Sequence, residues 1–182
     1  MAAVGQFFLK YDLWLLTCVA GHARAERAVR LIRWISRSAD GHVYPALLIP
    51  MALVQPDQWR VLGIFLFSFS VELAAYKLIK QLVKRPRPFH KLDGLARLIV
   101  PQDFFSFPSG HTAGAWVVAL SVACCYPGLT TPAYLWAVLV GYSRIYLGVH
   151  YPTDVMAGAG LGILSVKAGI AIESLILSAS IG

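Results

Sequence analysis

Five apolar runs dominate this chain, at about residues 41–55, 59–79, 112–127, 132–149 and 155–177. Their lengths approach the roughly 20 residues an α-helix needs to cross the hydrocarbon core of a bilayer. They are continuous, which excludes the alternating segments of about ten residues that build a membrane barrel. The composition agrees: 58% of residues are hydrophobic and 14% charged, against about 45–50% and about 25% in soluble domains. A soluble enzyme, a disordered chain and a nucleic-acid-binding domain are excluded on this ground. The expected fold is all-α, a polytopic membrane bundle of five or six transmembrane helices forming a single domain over residues 1–182. No repeat, low-complexity tract or linker divides it.

The N-terminal part differs in character. Residues 7–20 are apolar, but Lys10 and Asp12 interrupt them and no basic segment precedes them. They form either a short first span or a helix at the interface, and not a signal peptide. In residues 24–37, Ala28, Leu31, Ile32 and Ile35 share one helical face and Arg30, Arg33 and Arg37 the opposite one. That is the pattern of a helix lying on a membrane surface, so residues 1–40 read as interfacial N-terminal helices. The 41–55 run is interrupted by Pro45 and Pro50, and proline-rich turns follow at 56–57 and 127–132. Cys18, Cys124 and Cys125 show no metal or redox spacing and are expected as small core residues. Gly158 and Gly162 make a GxxxG, expected to let two helices pack closely.

The net charge of +7 points to anionic lipid headgroups or a phosphate-bearing substrate as partners, with no role for nucleic acid. The polar chemistry gathers in residues 80–154, in three clusters at the ends of spans. Lys80 and Arg87-Pro88 follow the second run, Pro108-Ser109-Gly110-His111 precedes the third, and Ser143-Arg144, His150 and Asp154 join the fourth to the fifth. Counting crossings puts all three on one face of the membrane. Lys80, Arg87 and Arg144 can converge on one anion, with arginine suited to two-pronged contact with phosphate. Ser109 and Gly110 precede a helix whose first N–H groups point at an anion. Of His111 and His150, one can be nucleophile and the other general acid. Asp154, four residues beyond His150, can fix that ring's tautomer. No metal or other cofactor is assigned, because three neighbouring cations would repel a divalent ion.

Lys80-x6-Arg87-Pro88, Pro108-Ser109-Gly110-His111 and Ser143-Arg144-x5-His150-x3-Asp154 together resemble the three-part signature of the type-2 phosphatidic acid phosphatases, which soluble vanadium haloperoxidases share. The resemblance covers residues 80–154. It implies an integral-membrane, metal-independent phosphatase acting on the phosphomonoester or diphosphate of a lipid, of the polyprenyl diphosphate, phosphatidic acid or phosphatidylglycerophosphate type. His150 would attack phosphorus and form a phosphohistidine, His111 would protonate the leaving oxygen, and Asp154 would orient His150. Lys80, Arg87, Ser109, Gly110 and Arg144 would hold the phosphoryl oxygens. Alternatives are a lipid phosphotransferase and a non-catalytic transporter or lipid-binding protein. The haloperoxidase branch conflicts with the hydropathy.

Phe104, Phe105 and Phe107 stand where they can line a substrate entrance or dip into the membrane. Of the intramembrane charges, Glu72 is expected to bond a neighbouring helix, and Lys77, Lys167 and Glu173 are expected to be structural. The side of the membrane is contested. Five arginines of 24–37, with Lys80, Lys84, Arg85, Arg87, Lys91, Arg97 and Arg144, put 12 of the 16 basic residues on the site's face, and the positive-inside rule makes such a face cytoplasmic. The resemblance implies a periplasmic or lumenal site of a cell (inner) membrane protein, and the reading leans that way.

Overall fold

The computed structural model describes residues 2–20, 25–91, 98–101 and 103–181. Arg24 and Arg97, counted above with the basic face, lie outside the described residues. Among the described residues seven α-helices follow in order: α1 (Ala2–Ala20), α2 (Glu26–Arg37), α3 (Val43–Leu53), α4 (Gln58–Val83), α5 (Gly110–Cys125), α6 (Thr130–Tyr146) and α7 (Pro152–Ile181). No strand occurs among the described residues. α4 and α7 are long and apolar enough to cross a membrane; α3 and α5 are shorter apolar helices. At 1.5 Å per residue the 11 residues of α3 reach only about 16 Å, half of a bilayer core.

α5 forms the centre, with α4, α6 and α7 packed around it. Ala113, Ala115, Val117 and Ala119 on α5 are completely buried, and their small volume allows that density. Gly158 and Gly162 put α7 directly against α5. A methyl on either would come within 2.5 Å of a carbonyl oxygen, that of Ser109 or Ala113. At the opposite end from the predicted site, Glu173 of α7 pairs with Arg60 of α4 at 3.3 Å.

The N-terminal helices cover the predicted site's face. Leu16 of α1 is fully buried in a small cluster with Tyr151 and Ile145. Asp12, the charge that interrupts the first apolar segment, is also buried. It accepts from the backbone N–H and hydroxyl of Thr153 and pairs with Arg85. α2 packs on α6; Ile35 joins the core, whereas Leu31 and Trp34 are exposed.

The cysteines depart from expectation. Cys18 and Cys124 are exposed and Cys125 is half-buried. In a bundle surrounded by lipid the outer surface is itself apolar, so a cysteine inside an apolar run need not face the core.

Candidate active site

The chain reaches the site by three short irregular segments. After α4, Lys84 takes a left-handed conformation (φ 48°) and ends the helix. The extended residues that follow bring Arg85 and Arg87 inward. The loop before α5 returns beside them, with the Ser106 N–H donating to the Arg85 carbonyl at 2.8 Å. After α6, Gly148 (φ 73°) reverses the chain, and the N–H groups of Val149 and His150 both donate to the Arg144 carbonyl.

These segments bring most of the predicted residues to one cavity of about 280 Å³, lined among others by Arg87, Gly110, His111, Arg144 and His150. His150 is 2% exposed, and its Nε2 lies 3.4 Å from Nη1 of Arg87. Arg87 is oriented by donating from Nη1 to the Val149 carbonyl at 2.8 Å. Arg144, equally buried, donates from Nη1 to the Ser36 hydroxyl, while its Nε has no partner among the described residues. Gly110 allows close approach: a methyl there would sit 2.7 Å from the Tyr76 ring.

Asp154 is beside His150, but not bonded to it. Its Oδ2 accepts from the Tyr151 N–H at 2.9 Å and lies 3.6 Å from Nδ1 of His150, too far for a hydrogen bond. Nδ1 is left without a partner among the described residues. Ser109 does not line the cavity. Its N–H donates to the Asp154 carbonyl at 3.0 Å, and its hydroxyl pairs with that of Thr112 at 2.9 Å. It joins the start of α5 to the start of α7. Lys80 is also off the cavity wall and approaches the site through a carboxylate.

That carboxylate, Asp103, is absent from the sequence reading. It accepts from Lys80 at 2.6 Å, from an Arg87 Nη2 and from the Tyr76 hydroxyl. Burial pushes its pKa up, but Lys80, Tyr76 and Arg87 outweigh burial and bring it down to about 2. Two cations expected to hold phosphate are therefore already matched by an anion. Asp40, between α2 and α3, lies 2.9 Å from Nε2 of His111. Arg85 bridges Asp12 at 2.6 Å and Asp154 at 2.7 Å, over the Tyr151 ring. Burial, then Arg87 and Arg144, hold the pKa of His150 well below the usual imidazole value. The ring is neutral at pH 7 and its lone pair is available.

Two recesses adjoin the cavity. A polar one of about 490 Å³, lined by Arg33, Arg37, Asp40, His111 and Arg144, opens beside α2. An apolar groove of about 440 Å³ runs between α3 and α4, and shares Gly41, Tyr44 and Phe69 with the cavity. Among the described residues no group of three or more His, Cys, Asp or Glu is arranged to hold a metal ion.

Paired imidazoles and gathered cations, set at one end of an apolar helical bundle, define a class of membrane protein that handles phosphate groups. Residues 61–174 match the PAP2 superfamily, and the chain belongs to it. It is 33% identical over 144 residues to the undecaprenyl-diphosphatase of Sulfolobus acidocaldarius, covering 75% of this chain and 68% of that protein. To phosphatidylglycerophosphatase B of Bacillus subtilis it is 35% identical over 119 residues, covering 56% of this chain and 52% of the relative, so it spans about half of that protein's length. The crystal structure of Aquifex aeolicus LpxE is similar with a TM-score of 0.79 and 28% identity, over 87% of this chain and 94% of that one.

Proposed function

We propose that this protein is an integral-membrane lipid phosphate phosphatase that works through a phosphohistidine. The observation that carries the reading is the placement of His150, Arg87, Arg144 and His111 on one cavity that continues into the apolar groove between α3 and α4. A lipid tail fits the groove while its phosphate stands among the arginines. His150 Nε2 attacks phosphorus, and the bond to the leaving oxygen breaks as His111 gives that oxygen a proton. Water then attacks the phosphohistidine with His111 as base, releasing phosphate and restoring His150. Arg87 and Arg144 stabilise the charge on the phosphoryl oxygens, and Asp154 steadies the imidazolium. The polar recess beyond His111 gives water a path to the intermediate, which favours hydrolysis over transfer to a second lipid.

Relatives named undecaprenyl-diphosphatase and phosphatidylglycerophosphatase B support a lipid phosphate or diphosphate as the substrate class. The site faces the periplasm of a cell-membrane protein in this reading, with five crossings, the short α3 completing one together with the turn at 54–57, and α1 and α2 lying at the interface. The test is phosphate release from phosphatidic acid and farnesyl diphosphate by the purified protein, with and without an acceptor lipid. Release proceeds without acceptor, His150→Ala abolishes it, and His111→Ala lowers kcat by about 10²–10⁴-fold. Undiminished release by His150→Ala would sink the mechanism.

A further inference from the structure

Glu72 lies on α4 two turns below Lys80, about 12 Å along the axis. Its residue is 6% exposed, yet it lines the cavity that holds His150 and Arg87. Its position inside an apolar run predicts a bond to a neighbouring helix. Among the described residues no hydrogen bond or ion pair reaches its carboxyl. The two nearby phenols on the cavity wall are committed elsewhere: Tyr44 donates to the Ala39 carbonyl at 2.8 Å and Tyr76 to Asp103. An acidic side chain without a partner in the apolar part of a membrane bundle is costly and marks a functional position.

Its place along the path of the substrate says what it meets. The phosphate stands at Arg87 and Arg144, and the tail enters the groove at Tyr44 and Phe69, so Glu72 faces the few atoms between them, the leaving group. A carboxylate there accepts hydrogen bonds. A second phosphate at that point would be repelled, and an ammonium group would meet Arg87 and Arg144 close by. Hydroxyl groups suit both surroundings. We propose that Glu72 is the specificity-determining residue of the site, selecting lipid phosphates whose leaving group carries a free hydroxyl next to the phosphate, such as a glycerol or sugar phosphate, over lipid diphosphates.

The proposal rests on the phosphatase reading, and the experiment separates the two. The probes are 1-oleoylglycerol 3-phosphate and its 2-deoxy counterpart, which differ by one hydroxyl and share tail and phosphate. The wild-type protein favours the hydroxylated compound in kcat/KM by about tenfold, the weight of one hydrogen bond to a charged group. Glu72→Met, of similar length and equally helix-forming, brings the ratio close to one because the hydroxylated compound loses more of its kcat/KM than the 2-deoxy compound. Glu72→Gln, which removes charge and keeps shape, raises hydrolysis of farnesyl diphosphate relative to farnesyl phosphate. A wild-type ratio already near one, or an equal loss on both oleoyl compounds in Glu72→Met, overturns the proposal. Absence of hydrolysis of either by the wild type brings down the phosphatase reading and this one with it.

Discussion

At position 150 the imidazole is neutral because burial and two guanidinium groups oppose its protonation. Its folded value is depressed, so an ordinary histidine charges near pH 6.5 while this one stays uncharged until the pH falls further. NMR titration of His150 in the unliganded protein is expected to place its midpoint clearly below 6.5; a midpoint at or above that value contradicts the electrostatics described. Asp103 makes a second prediction. Its carboxylate pairs with both Lys80 and Arg87 and offsets one of their two charges, so Asp103→Asn leaves both cations to an incoming anion. Inhibition by orthovanadate is expected to tighten by about tenfold, a modest share of the Coulomb energy of one nearby charge. The signature residues are legible in the sequence because their spacing is fixed by helix ends and tight turns. Asp103 and Asp40 are not legible: each sits in a connecting segment with no period, and each meets its partners only through the fold. Glu72 is visible as an anomaly, but its role depends on a cavity that no spacing reveals.

Among the elements, α5 and α7 meet closely at two glycines, Gly158 and Gly162. Gly158→Ala forces a methyl against the Ser109 carbonyl, next to the tie between Ser109 and Asp154. Overpacking of this kind costs about 1–3 kcal/mol. The thermal midpoint in detergent is expected to fall by several degrees, together with phosphate release. Gly160→Ala, which meets nothing within 4 Å, is expected to leave both unchanged. This contact is readable from the GxxxG spacing, and the bundle's helices follow the apolar runs. The environment of each face is less readable: hydropathy alone does not distinguish a core-facing position from a lipid-facing one, which is why Cys18 and Cys124 lie outside.

For the whole molecule, the testable quantity is direction across the membrane. Phe104, beside the site, and Val54, between α3 and α4, are 88% and 74% exposed. In a protein whose native cysteines have been replaced by serine, cysteines at these two positions are expected to react with an impermeant maleimide from opposite sides, Phe104→Cys from outside intact cells. Labelling of Phe104→Cys only after lysis reverses the assigned orientation. The N-terminal helices escape a reading from hydropathy for a related reason. Asp12 looks like a flaw in a span, yet its partners are Arg85 and Thr153, 73 and 141 residues further on. The same guanidinium holds Asp154. Through Arg85 and Thr153, α1 is thus clasped to the start of α7. During synthesis the helices between them can settle one after another, but Asp154 reaches its balanced setting only once α7 has emerged and α1 has folded back onto it. A nascent chain stalled before α7, or a finished one clipped behind α1, has its arginines and histidines in sequence and an incomplete site in space.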